Sequence, residues 1–219
     1  MNEITELQEL DLPAEIYFMR GFALGSGYNE LYRSISCALI EHRKQARNGG
    51  QPYATHPIRC AHMLVTHGVR DERILSTVVL HDVPEDCGAS KEDLIHMYGI
   101  SEDVAYLATV LDKRRYKSTE DYYLSLRQYI ETILTKIVDR CHNLATMVNV
   151  FSEKRMKKYI EETEEYVIPL CQYAVLHHPE YSNVVFALKR HIVDMLTILK
   201  ALLPKDHLDE EMIGATCSL

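Results

Sequence analysis

The sequence predicts an all-α fold, read as one continuous domain of about nine or ten helices. Apolar residues recur at spacings of three and four through most of the chain, the period of an amphipathic helix. No stretch holds the alternation of a half-buried strand. Only nine Gly and seven Pro punctuate 219 residues, with no low-complexity tract or internal repeat.

The elements follow in order. Residues 30–47 ("ELYRSISCALIEHRKQAR") carry Leu31, Ile35, Ala38, Leu39 and His42 on one face. Residues 57–68 open on Pro57, which suits a first helical position, and stop at Gly68. Residues 71–82 begin at an aspartate cap, Asp71, and are apolar at Ile74, Leu75, Val78 and Val79. In "SKEDLIHMYG" (90–99) Ser90 and Asp93 make a variant capping box, and Gly99 closes the helix. A second serine-capped helix starts at Ser101. Beyond the loop "DKRRYKST" come "EDYYLSLRQYI", the segment around "ILTKIVDRCHNLATMVNVF", one helix over "EKRMKKYIEETEEYVIPLCQYAVLH", and a last long helix running up to Pro204. "EKRMKKY" (153–159) reads as a solvated helix face.

Composition bounds the function. Hydrophobic content of 47% and charged content of 26% are ordinary globular values. The acidic start "MNEITELQEL" is not a secretory signal, and no apolar run reaches the length of a membrane span. Six scattered cysteines without a C-x-x-C pair suit a reducing cytoplasm. A net charge of −8 argues against nucleic-acid affinity but leaves room for a local basic pocket. The long apolar C-terminal helices are compatible with a homo-oligomer.

The chemistry centres on "VVLHDVPEDCG" (78–88), where an imidazole and three carboxylates close an apolar run. Charges are costly to bury without partners. His81 and Asp82 from a helix end, His56 from the loop "GGQPYATHP" and Asp139 in "KIVDRCHN" would supply two nitrogens and two carboxylates to one divalent cation: Mn²⁺, Fe²⁺ or Zn²⁺. The plain alternative is that Asp82 is a helix-end residue and that Asp139 pairs with Arg140 or a lysine. Pro84 should end or kink the helix. Glu85 and Asp86 then sit on a new turn, either as a base beside a metal site or as a solvated acidic turn. Arg47 reaches the loop of His56. Lys113, Arg114, Arg115 and Lys117 cluster in "DKRRYK", as phosphate-attracting cations or as an exposed charged loop.

Four stretches, "HRKQARNGGQPYATHP", "ILSTVVLHDVPED", "IHMYGISEDVAYLATVLDK" and "KIVDRCHNLATM", resemble in order and separation the hydrolase domain of the RelA/SpoT enzymes. These form a branch of the HD phosphohydrolases, and the likeness is strongest to stand-alone small alarmone hydrolases of the Mesh type. It spans roughly residues 38–150 and weakens through "YIEETEEYVIPL". The resemblance implies an HD-superfamily helical core over 26–170, an N-terminal helical extension over 1–25, and C-terminal helices over 171–219 that pack on the core and end in a frayed tail.

It also implies a metal, usually Mn²⁺, held by His56, His81, Asp82 and Asp139, with Glu85 and Asp86 orienting or deprotonating the attacking water. Arg47, Asn143 and Thr146 match positions lining the nucleotide pocket. Tyr53 matches a "PY" element, and Lys113 matches the lysine that ends a family stretch. The implied reaction removes pyrophosphate from the 3′ position of (p)ppGpp, a small-molecule nucleotide. Asn48 stands where the family commonly has a lysine near the purine; Pro84 replaces Val or Thr; "TVLDK" departs from "GVTK"; and the synthetase portion of the bifunctional enzymes has no counterpart. These departures leave base selectivity open to (p)ppApp, NADPH or nucleoside monophosphates. A nucleotide sensor or antitoxin-like binding protein without turnover is the competing class.

Overall fold

The computed structural model describes residues 14–47 and 50–203. Asn48, the first part of the expected N-terminal extension and the expected tail lie outside the described residues. Eleven α-helices run in order among those described: α1 (Ala14–Ser26), α2 (Asn29–Glu41), α3 (Thr55–Thr66), α4 (Glu72–Leu80), α5 (Lys91–Tyr98), α6 (Glu102–Val110), α7 (Thr119–Leu126), α8 (Ile130–Thr146), α9 (Glu153–Glu162), α10 (Ile168–His177) and α11 (Ser182–Leu202). The all-α expectation holds. The additional span arises because the helix expected over 153–177 is divided by a π-helical turn at Thr163–Val167.

Two helices organise the core. In α4 every residue from Ile74 to Leu80 is buried, so this short helix packs on all sides, against α2, α3, α6 and α8. α8 buries Ile133, Leu134, Ile137, Val138, Cys141 and Leu144. Lys136, Asp139, Asn143 and Thr146 recur along it at spacings of three and four and line a cleft. α11 closes the far side against α8 and α10, and α1 covers α2 and α3 through Ile16, Met19 and Ala23.

Local chemistry sets the helix ends. The Asp71 carboxylate accepts the amide N–H groups of Arg73 and Ile74 at 2.9 and 3.2 Å, which satisfies donors that a helix start leaves orphaned. The Ser90 hydroxyl accepts the Asp93 N–H, and Asp93 accepts the Ser90 N–H in return, completing the capping box. Gly99 follows at φ 65°, the left-handed conformation glycine adopts without a Cβ penalty.

Three boundaries differ from the sequence reading, and each bears on the cleft. The helix from residue 30 ends at Glu41 and continues as a 3₁₀ turn, His42–Lys44. α3 begins at Thr55, two residues before Pro57, so His56 lies in a helical first turn rather than in the loop. Pro57 is tolerated there because the first helical N–H groups have no intrahelical acceptor. The α-helix carrying "VVLHD" stops at Leu80, and Val83–Cys87 forms a π-helical turn with Pro84 at its start. The break expected at Pro84 is therefore present, as a widened turn that Gly88 ends at φ 75°.

Candidate active site

One cleft of about 650 Å³ is lined by Arg47, Tyr53, His56, His81, Asp82, Glu85, Asp86, Lys113, Asp139, Asn143 and Thr146, every predicted site residue among those described. These side chains come from the 45–53 loop, α3, the end of α4, the π turn, the α6–α7 connection and α8. An isolated antiparallel bridge between Ala46 and Pro52 closes the first loop, with Arg47 N–H donating to Gln51 O at 2.8 Å.

At its floor two imidazoles face two carboxylates. His56 Nε2 lies 3.1 Å from Asp139 Oδ1 and 3.6 Å from Asp82 Oδ2. His81 Nε2 lies 3.1 Å from Asp82 Oδ1 and 3.7 Å from Asp139 Oδ1. Both histidines are buried. His81 Nδ1 is 2.7 Å from Val78 O. A carbonyl can only accept, so Nδ1 carries a proton and the neutral ring presents the Nε2 lone pair to the carboxylates. That Nε2 is buried without a hydrogen-bond partner. Burial disfavours charge on His81, but Asp82 and Asp139 outweigh it and push its pKa up to about 9. Burial also works against the Asp139 charge, yet Lys136, His56 and His81 hold its carboxyl well below the usual range. The cluster therefore draws positive charge to its centre.

His56, His81 and Asp82 present ligand atoms close enough together to hold one divalent cation, and Asp139 faces both imidazoles. Cis ligands with bonds of about 2.1 Å lie about 3.0 Å apart in an octahedral site and about 3.4 Å apart in a tetrahedral one. The donor set, two imidazoles and two carboxylates, suits Mn²⁺, Fe²⁺ or Zn²⁺. The two carboxylates are themselves held. Tyr53 OH donates to Asp82 Oδ2 at 3.0 Å, and Asn143 Nδ2 donates to Asp139 Oδ1 at 2.5 Å. Lys136 Nζ sits 3.1 Å from Asp139 Oδ2, so Asp139 does pair with a lysine, in addition to facing both histidines.

Beside this cluster the π turn presents Glu85, whose Oε2 accepts the Lys113 N–H at 3.0 Å. Burial raises the Glu85 pKa, against the lowering effects of that N–H and of Lys136. Asp86 is more exposed; its N–H donates to Asp82 O at 2.8 Å, and its carbonyl accepts from Gln45 Nε2. Across the cleft Arg47 Nη2 donates to Asn143 Oδ1 at 3.0 Å and Thr146 Oγ1 at 3.3 Å, joining positions 96 and 99 residues apart. Of the four cations in "DKRRYK", Lys113 alone lines this cleft. Arg114 turns outward, donating to Pro84 O at 2.8 Å and pairing with Asp112, and so braces the π turn from behind.

Several cleft residues escaped the sequence reading. Arg155 and Tyr159, from the "EKRMKKY" stretch expected to be solvated, line the cleft with Phe151, and the Arg155 guanidinium stacks 3.7 Å from the Phe151 ring centroid. Their i, i+4 spacing was the available signal. Arg140, buried beneath them, pairs with Glu162 at 2.8 Å, donates to Tyr159 O and Thr163 Oγ1, and lies 4.0 Å from the Tyr159 ring centroid. Glu162 also receives Lys113 Nζ at 3.2 Å. Burial alone would raise its pKa, but Arg140, Lys113 and Lys136 lower it to about 2. Lys136, Asp139, Asn143 and Thr146 form a polar stripe on an apolar helix, a pattern that could have exposed Lys136. His142 left no sequence signal beyond its neighbour Asn143.

An all-α fold that gathers an adjacent His–Asp pair with a second histidine and a distant aspartate is the arrangement that the resemblance to the HD phosphohydrolases implies. Most of the relatives it matches carry the name of (p)ppGpp pyrophosphohydrolases, with a bifunctional synthase/hydrolase and a GTP pyrophosphokinase among them. The bifunctional (p)ppGpp synthase/hydrolase SpoT of Escherichia coli K12 is 31% identical over 157 residues, covering 68% of this chain and 22% of its own. The guanosine-3′,5′-bis(diphosphate) 3′-pyrophosphohydrolase of Aquifex aeolicus is 35% identical over 150 residues, covering 65% of this chain and 21% of its own. The chain thus spans about a fifth of the length of the curated relatives it matches. A solved structure described as a metazoan orthologue of SpoT that hydrolyses ppGpp superposes with a TM-score of 0.60 at 22% identity, covering 77% of this chain and 94% of that one. That likeness shows the shared fold. No protein-family model matches the chain. The resemblance to the RelA/SpoT hydrolases read from the four motifs therefore stands.

Proposed function

We propose that this chain removes the 3′-pyrophosphate of guanosine alarmones, converting (p)ppGpp to GDP or GTP and pyrophosphate, with Mn²⁺ as its metal. The observation that carries the reading is the meeting of His56, His81, Asp82 and Asp139 from three helical segments, with N···O separations of 3.1 to 3.7 Å. The named activity of the matched relatives supports the substrate. A divalent cation bound by those four residues supplies a Lewis acid that acidifies water and polarises a phosphoryl oxygen.

The chain's own groups do the rest. Glu85 takes the proton of the attacking water; its fixing by the Lys113 N–H and its greater basicity through burial support that role. Arg47, Lys113, Lys136 and Arg155 line the cleft and offset the charge of a phosphate-rich substrate although the protein is acidic overall. Phe151 and Tyr159 line the cleft edge to face, 5.5 Å between ring centroids, beside the cations that would meet the phosphates. Free Cys37, Cys60, Cys87, Cys141 and Cys171 accord with a cytoplasmic setting. No helix among the described residues is long and apolar enough to cross a membrane.

A substrate panel tests the reading. Metal-reconstituted protein is incubated with (p)ppGpp, (p)ppApp, NADPH and deoxynucleoside monophosphates, and products are read by mass. GDP or GTP with pyrophosphate is the expected outcome. No release from (p)ppGpp after Mn²⁺ reconstitution would overturn the proposal. Faster release from another member of the panel would reassign the substrate.

A further inference from the structure

The two histidines at the floor of the cleft are held in different ways. A neutral imidazole offers one lone pair and one N–H, so a histidine that ligates through Nε2 must keep its proton on Nδ1 and find an acceptor for it. For His81 that acceptor is the carbonyl of Val78. His56 Nδ1 faces a second imidazole, with His142 Nδ1 at 2.8 Å; Cys60 Sγ is more distant at 3.9 Å. Two ring nitrogens in hydrogen-bond contact share one proton, which has two places to sit. If His142 holds it, His56 Nδ1 accepts, and the remaining His56 proton on Nε2 points at Asp139 Oδ1, 3.1 Å away. That is a satisfied histidine–carboxylate pair with no lone pair left for a cation. If His56 holds it, Nε2 is free to ligate.

We propose that His142 is a positioning residue whose unprotonated Nδ1 accepts the His56 Nδ1 proton and so keeps His56 Nε2 as the metal-binding lone pair. The inference rests on the metal reading of the four-residue cluster. The fold supplies the acceptor economically, because His142 lies three residues beyond Asp139 on α8. One helix thus carries both a carboxylate of the cluster and the group that orients the imidazole facing it. His142 is 8% exposed, and its ring centroid lies 4.8 Å from that of His56, so the pair meets away from bulk solvent. Because an imidazole, unlike a carbonyl, can either donate or accept, the ligating state of His56 depends on its neighbour in a way that His81 avoids.

The test is Mn²⁺ affinity, read by electron paramagnetic resonance of the free ion, in wild type, His142→Leu and His142→Asn. The asparagine amide oxygen sits two bonds from Cβ, as Nδ1 does, and can accept; leucine fills similar space without a lone pair. His142→Leu is expected to bind Mn²⁺ about 10- to 100-fold more weakly, the usual cost of losing a group that orients a metal ligand, with His142→Asn recovering to within about threefold of wild type. Wild-type affinity in His142→Leu would overturn the inference. So would an asparagine variant that unfolds at the wild-type temperature yet binds as weakly as leucine. Should His142→Leu fail to fold, nitrogen-15 spectra of the Zn²⁺-loaded wild type decide: an unprotonated His142 Nδ1 facing a protonated His56 Nδ1 supports the assignment, and a proton on His142 Nδ1 refutes it. Absence of Mn²⁺ binding by the wild type would instead strike down the metal reading, and this inference with it.

Discussion

Asp82→Ala is expected to abolish metal-dependent turnover, lowering kcat/KM for the alarmone by about 10³-fold or more, and to weaken Mn²⁺ binding severely. Asp82 is the carboxylate that spans the site. Its Oδ1 is 3.1 Å from His81 Nε2 and its Oδ2 is 3.6 Å from His56 Nε2, while Tyr53 OH holds Oδ2 from outside. Without it, two imidazoles and Asp139 remain, and Asp139 is shared with Lys136 and Asn143. The loss should appear as metal affinity first and turnover second. Steady-state kinetics with titrated Mn²⁺ and a calorimetric binding isotherm measure both. Full retained activity would sink the assignment of the site.

The second large effect separates metal binding from water handling. Glu85→Gln is expected to lower kcat by roughly 10²- to 10⁴-fold, the span usual for loss of a positioned general base. Its Mn²⁺ dissociation constant should stay within about threefold of wild type, because Glu85 lies on the π turn and contacts none of the four cluster residues by hydrogen bond or ion pair. The glutamine still accepts the Lys113 N–H, so the turn keeps its brace. A base works only when ionised, and burial raises the pKa of Glu85. The acid limb of kcat in wild type should therefore be shifted upward from that of an ordinary glutamate, with activity present above it and lost below, and it should vanish in Glu85→Gln. A variant that loses metal as severely as Asp82→Ala would place Glu85 among the ligands instead.

What the sequence disclosed was whatever leaves a local mark. Asp71, Ser90 and Gly99 declared helix ends because capping is chemistry within four residues. Pro84 announced the break after Leu80 because proline cannot continue an α-helix without cost. The histidines and acids of the cleft stood out as polar residues inside apolar runs, and their ordered spacing carried the resemblance. Hidden were relations that exist only after folding. Nothing local tells Arg47 that it will meet Asn143 and Thr146, nor His56 that its Nδ1 will face His142. "EKRMKKY" looked solvated because its charge masked the one face, Arg155 and Tyr159, that turns toward the cleft. The start of α3 is hidden because Pro57 has the mark of a first helical residue yet stands third in the helix.

Water, with its proton taken by Glu85, is expected to attack the phosphorus joined to the 3′ oxygen. The new bond is between the water oxygen and that phosphorus; the bond that breaks joins phosphorus to O3′, which leaves with the electron pair and is protonated. Turnover of ppGpp in water enriched in oxygen-18, with products read by mass, tests this directly. One heavy oxygen in the pyrophosphate and none in the GDP is the expected result. Label in the nucleoside product, or release of inorganic phosphate with a 3′-phosphate left behind, would contradict it.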